Sequence, residues 1–137
     1  KKRLEQYGGK VYCFMSDEDV ASAAKEKGTT RAVASMEKAC ALEERLIFAV
    51  GNAPTALFAI ARQMERGQFP AMLIGVPVGF VNVEEAKEQV LALCRRFEVP
   101  AILAMGRKGG SNVAAAICNA LLYLAGDMLD PAERGWQ

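Results

Sequence analysis

Short, continuously apolar runs recur along the chain, each followed by a turn bearing glycine, proline or helix-capping residues and then by a stretch with helical spacing. Lys10-Val11-Tyr12-Cys13-Phe14-Met15 is β-prone and follows Gly8-Gly9, so the pattern predicts a strand there. Ser16-Asp17-Glu18-Asp19 then offers capping oxygens and early acidic charge for a helix to about Lys27, which Gly28 ends. Thr29-Thr30 caps a second helix through Met36 to Cys40. Arg45 to Val50 predicts the next strand, and Gly51-Asn52-Ala53-Pro54-Thr55 turns the chain into a helix reaching Arg66 and closed by Gly67. The same grammar returns twice. Ala71 to Val76 leads through Pro77-Val78-Gly79-Phe80 to a helix from Glu84-Glu85 to about Phe97, and Pro100 to Met105 leads through Gly106-Arg107-Lys108-Gly109-Gly110-Ser111 to a helix over Asn112 to Ala125.

Strands that are apolar throughout and separated by helices predict a parallel sheet with right-handed crossovers, covered on both faces. The expected fold class is α/β, a three-layer doubly wound arrangement with a mainly parallel sheet. One domain over residues 1–126 and a polar tail over 127–137, loosely docked and carrying Trp136, follow from the same pattern. The 137 residues, 52% hydrophobic, are enough to bury a core and exclude a disordered chain. A net charge of +1 gives no global field for nucleic acid or an anionic membrane, so any anion binding is local. No apolar run reaches membrane-spanning length, which predicts a soluble, cytoplasmic protein. Cys13, Cys40, Cys94 and Cys118 form no CxxC pair and have no histidine to complete a zinc set; their apolar surroundings predict buried, reduced thiols and no metal site. The chain opens Lys1-Lys2-Arg3 without methionine, which reads as a cut end in the middle of a domain.

Ligands of open parallel sheets bind beyond the carboxyl ends of the strands, and the loops Gly51–Thr55, Gly75–Val81 and Gly106–Ser111 all fall there. Glycine at such turns lets backbone approach a ligand and expose N–H groups to its oxygens. Gly106 to Ser111 combines two cations, three glycines and a serine in a capping position, suited to carboxylate or phosphate; a tight turn with solvated basic residues has the same composition. Its spacing fits neither the phosphate loop nor the dinucleotide fingerprint. Thr30-Arg31 stands at a helix start, where a guanidinium either joins backbone N–H groups in holding a carboxylate or simply faces water. Asn52 is an N-cap or a ligand-facing amide; Phe80 walls an apolar pocket or staples the following helix. Met64, Met72 and Met105 are expected in the core, and Glu84, Glu85 and Glu88 on a solvated face. No acid, base and nucleophile set can be assembled, so no catalytic residue is assigned in this chain.

In their order, these segments resemble the precorrin-8X methylmutase family. The resemblance is carried by Gly9-Lys10-Val11-Tyr12-Cys13-Phe14, Thr30-Arg31-Ala32, Gly51-Asn52-Ala53-Pro54-Thr55-Ala56-Leu57, Ile74-Gly75-Val76-Pro77-Val78-Gly79-Phe80-Val81 with Glu85 and Lys87, and Gly106 to Ser111 with Asn119-Ala120-Leu121. It implies a flavodoxin-like fold, a homodimer with a corrin site near the interface, and migration of a methyl group from C-11 to C-12 of precorrin-8X or cobalt-precorrin-8, giving hydrogenobyrinic or cobyrinic acid without a cofactor. By resemblance, Thr30 and Arg31 with Arg107, Lys108, Gly109, Gly110 and Ser111 hold substrate carboxylates, while Asn52, Val78, Gly79 and Phe80 shape the ring pocket. The family's proposed acid is a histidine in an amino-terminal segment ahead of the region where this chain begins, and this sequence has no histidine. The expectation is a fold missing its amino-terminal elements and a chain inactive alone; a non-catalytic corrinoid-binding module is the alternative. A phosphate or nucleotide domain on a similar sheet is a third reading, resting on fold analogy alone.

Overall fold

The structure, a computed structural model, describes residues 2–6 and 8–126. The expected tail over 127–137 lies outside them. Six helices and three strands follow one another among the described residues: α1 (Lys2–Gln6), α2 (Glu18–Lys27), α3 (Arg31–Ala41), β1 (Ile47–Val50), α4 (Pro54–Glu65), β2 (Met72–Gly75), α5 (Val83–Arg96), β3 (Ala101–Leu103) and α6 (Ser111–Ala125). The strands are parallel and run in the order β1-β2-β3, with Phe48 beside Leu73 and Ile74 beside Ile102.

Alternation across the pleat divides the sheet between two layers. Phe48, Val50 and Leu73 face a core completed by Ala32 and Ala39 of α3, Leu57, Ile60, Ala61 and Met64 of α4, and Ala86, Val90, Leu93 and Cys94 of α5. Both crossover helices therefore lie on one side, as right-handed connections between sequential parallel strands require. Ile74 and Val76 face the other way and meet Ala114, Ile117 and Leu121 of α6. The parallel α/β architecture agrees with the pattern of the sequence. The second face, however, carries α6 alone among the described elements, and Ile47 of β1 is 58% exposed.

The predicted strand at Lys10–Met15 does not form; these residues are loop running into a turn at Met15. β-propensity measures the fit of side chains to a pleated, half-buried surface, and this segment reaches no sheet edge on which its backbone can pair. Side chains pin it instead. The Tyr12 hydroxyl donates to Glu44 at 2.7 Å, the Ser35 hydroxyl donates to the Met15 sulfur at 3.3 Å, and Phe14 packs against the main core while Lys38 lies 4.7 Å from its ring centre. The expectation of buried thiols is corrected at two positions. Cys94 is buried and Cys40 half-buried, but Cys13 on this loop and Cys118 on the outer side of α6 are exposed; all four are free. Burial, aided by Glu37, pushes the Cys40 thiol up to about 11.

Helix boundaries follow capping chemistry at some ends and depart from it at others. Thr30 caps α3, its hydroxyl accepting from the Val33 amide at 3.2 Å, and Gly28 ends α2. Asp17 sits at the N-cap of α2 without a side-chain capping bond, because its carboxylate accepts from Lys38 of α3 at 2.8 Å. Ser111, expected to cap α6, is instead its first residue; Gly110 occupies the cap.

Candidate functional site

The carboxyl ends of three parallel strands deliver their loops to one rim, and backbone contacts lock those loops together. Gly110 donates its N–H to the carbonyl of Val76 at 2.8 Å, and Gly79 donates to the carbonyl of Arg107 at 3.3 Å. A side chain at Gly109 would collide with the Val76 carbonyl oxygen. At Gly51 a Cβ would lie 2.6 Å from the Cα of Ser111, so the β1–α4 turn and the start of α6 approach as closely as backbones allow. The fourth segment joins through threonines: the hydroxyls of Thr30 and Thr55 are 3.2 Å apart, which sets the start of α3 beside the start of α4. All four glycine- or threonine-bearing turns singled out in the sequence thus meet.

Cations and apolar side chains stand side by side on this rim. Arg31 is exposed and has no ion-pair partner among the described residues. Arg107 is also exposed, its Nε 3.6 Å from a carboxylate oxygen of Glu84, and Lys108 is exposed beside it. Phe80 is 83% exposed and therefore does not staple α5; Val78 and Val81 are exposed with it. Met105, expected in the core together with Met64 and Met72, is exposed at the end of β3, whereas Met64 is fully buried. Asn52 is exposed and is not the N-cap of α4, which is Ala53. Glu84, Glu85 and Glu88 are solvated, as their helix-start position predicts.

The group beneath the rim entered the sequence analysis only among the residues that carry the resemblance, with no role given to it. Lys87 is completely buried, and its ammonium donates to the carbonyls of Gly106 at 2.8 Å and Lys108 at 2.9 Å. Burial lowers its pKa from the ordinary lysine value, while the Glu84 carboxylate acts in the opposite direction. The signal was available: the buried stripe of α5 is Val83, Ala86, Lys87, Val90, Leu93 and Cys94, so a lysine falls on an otherwise apolar face at helical spacing.

The rim is an open platform. Two shallow hollows of about 240 Å³ each lie elsewhere, one between α2 and α3 and the other beside Phe48, Phe69 and Pro70 at the opposite end of the strands. Among the described residues no cluster of three or more histidine, cysteine, aspartate or glutamate side chains is arranged to hold a metal. The rim presents exposed cations beside apolar contact area, an arrangement chemically able to bind an anion-fringed apolar ligand.

Fold and rim together define a parallel α/β protein whose glycine turns, arginines and exposed apolar side chains share one edge of the sheet. Comparison with known proteins gives the class a family. The family model described as precorrin-8X methylmutase matches residues 1–124. A cobalt-precorrin-8 methylmutase of Leptospira interrogans is 50% identical over 129 residues, covering 90% of this chain and 59% of that protein. A precorrin-8X methylmutase of Pseudomonas aeruginosa is 41% identical over 113 residues, covering 82% of this chain and 53% of the relative. The crystal structure of a precorrin-8X methylmutase from Thermus thermophilus superimposes with a TM-score of 0.79 at 38% identity, over 92% of this chain and 60% of that one. The chain belongs to the precorrin-8X methylmutase family. It spans a little over half the length of the curated relatives it matches.

Proposed function

We propose that these residues form the substrate-holding part of a corrin-ring isomerase of cobalamin biosynthesis, which moves a methyl group from C-11 to C-12 of precorrin-8X or cobalt-precorrin-8. The observation that carries this reading is the meeting of four separate segments at one rim, with Arg31, Arg107 and Lys108 beside Phe80, Val78 and Val81. A corrinoid is a flat, largely apolar macrocycle fringed with carboxylates. It needs apolar contact area ringed by anion holders, and guanidinium groups with outward amides supply charge-assisted hydrogen bonds to the fringe. In this reading Thr30, Arg31, Arg107, Lys108, Gly109, Gly110 and Ser111 hold carboxylates, and Asn52, Val78, Gly79 and Phe80 contact the ring.

The rearrangement needs a proton donor at the ring, and the rim supplies none. The chain's part in the reaction is binding and orientation, with the acid provided by a histidine of a preceding segment. The chain alone is then inactive, and a longer protein carrying that segment turns over substrate. The flavodoxin-like fold belongs to the same proposal, α6 on the second face beginning the second winding, as do a single domain over residues 1–126 and a cytoplasmic location, supported by four unpaired cysteines. Homodimerisation is supported by α6, which has no charged residue and leaves Leu124 61% exposed. Sedimentation should show concentration-dependent self-association that Leu124→Lys weakens; a chain monomeric at every concentration removes this part.

Absorbance titration with hydrogenobyrinic acid tests the whole. A saturable spectral change is expected, and Arg31→Ala should weaken it roughly tenfold or more, the loss of a charge-assisted hydrogen bond. No saturable change at micromolar protein sinks the reading. If the longer protein binds precorrin-8X and never rearranges it, the non-catalytic binding module replaces the isomerase.

A further inference from the structure

Lys87 is covered completely by protein, yet its two hydrogen bonds both go to carbonyls of a single loop, Gly106 and Lys108. A buried ammonium is retained only where acceptors replace its water, and here the loop itself supplies them. The peptide group is planar and trans, so a carbonyl turned inward fixes the next residue's N–H outward. The carbonyl of Gly106 therefore aims the N–H of Arg107 away from Lys87, and the carbonyl of Lys108 does the same for Gly109. Three further backbone groups of the loop are engaged. The Arg107 carbonyl accepts from Gly79, Gly110 donates to Val76, and the Gly110 carbonyl accepts from Ala114 of α6. The amides of Arg107, Lys108 and Gly109 have no backbone partner among the described residues; those of Arg107 and Gly109 are the two that the inward carbonyls aim outward, and Gly109 is half-buried, where an amide is seldom left without a ligand or water.

We infer that Lys87 is the positioning residue of the carboxylate site: it holds two loop carbonyls inward and so presents the N–H groups of Arg107 and Gly109 to a substrate carboxylate. This rests on the corrinoid reading for the identity of the ligand and on the loop geometry for everything else. Lys87 touches no substrate atom and acts through the peptide planes. Its charge also lies beneath the loop, offsetting Glu84, whose carboxylate approaches Arg107 from the α5 side.

Two measurements on the full chain keep the inference separate from the corrinoid reading. The first needs no corrinoid and no substitution. Tricarballylate, a small tricarboxylate, is titrated while backbone amide resonances are followed; Arg107 and Gly109 should move together and saturably, and Gly110, already bonded to Val76, should not. Movement of Gly110 without the other two overturns the inference, as does a loop that never responds. The second compares hydrogenobyrinic acid with its fully amidated counterpart in Lys87→Met. Affinity for the acid should fall at least tenfold and affinity for the amide less than threefold. Equal losses for both ligands would show that Lys87 only supports the fold, and unchanged affinities would remove it from the site. If the unaltered chain binds neither corrinoid but the tricarballylate shifts appear, the corrinoid reading fails and the role of Lys87 stands.

Discussion

Helices α4 and α6 are both apolar and similar in length, but they live in different surroundings. α4 buries six of its 12 residues, among them Leu57, Ile60 and Met64, between the sheet and the helices α3 and α5. α6 has 15 residues, no charged side chain and only Ala114 buried. A helix that is apolar around its circumference belongs in an interior. α4 has a polar strip at Arg62 and Glu65 facing water and is buried within this chain, whereas α6 packs through Ala114, Ile117 and Leu121 against the sheet and is largely exposed elsewhere among the described residues. Apolarity alone therefore does not bury a segment; burial also needs neighbouring elements on more than one side.

The comparison is sharpened first by truncating one leucine in each helix. Leu57→Ala removes a fully buried side chain packed against Gly75 and should cost about 2–5 kcal/mol, whereas Leu124→Ala should change the stability of the monomeric chain by no more than about 0.5 kcal/mol, both read from denaturant midpoints at unchanged slope. Equal costs would mean that α6 is as well packed as α4 and would dissolve the contrast. Next in size is Gly109→Ala. The added methyl meets the Val76 carbonyl, so the loop must shift, at about 1–3 kcal/mol, and corrinoid affinity should fall with it. Unaltered stability together with unaltered affinity would show that the rim is softer than its contacts imply.

The smallest effect concerns the clamp between α2 and α3, where Lys38 pairs with Asp17 and Asp19. A hydrogen bond from Lys38 lowers the pKa of Asp19 below the ordinary aspartate value; bonds to Asp17 and then Asp19 raise that of Lys38 above the ordinary lysine value. The Asp19 contribution is in place above the ordinary aspartate pKa and is lost as the pH falls through the lowered one. The Lys38 contribution is complete below the ordinary lysine pKa and is lost as the pH rises through the raised one. Lys38→Met should flatten both flanks of the stability profile slightly, since exposed pairs are screened by water and salt. A large change would place the clamp in the core energetics, alongside α4.

Much of this molecule was legible from local chemistry. Thr30, Gly28, Pro54 and Gly67 punctuate helices as their conformational preferences demand, and the apolar runs at Ile47–Val50, Met72–Gly75 and Ala101–Leu103 are strands because buried parallel strands are apolar on both faces. Lys10–Met15 carries a similar pattern and is loop, because a strand needs a neighbour and the sequence does not say whether one is within reach. Cys13 is exposed for that reason, and Met105 and Phe80 are exposed because they lie beyond the last pairing of the sheet.

By itself the sequence determined the order of helices and strands, the parallel sheet and the rim to which the glycine turns belong, since these rest on residue types and short spacings. Only the tertiary structure decided that Asp17 answers Lys38 instead of its own helix, that Gly51 and Gly109 are needed for the close approach of neighbouring backbones, and that Lys87 turns the carbonyls of a loop 19 residues away. Each of these joins groups distant along the chain. Hydrogen bonds and steric contacts between such groups act at a few ångströms, and which groups come within that range is set by packing, not by sequence neighbourhood.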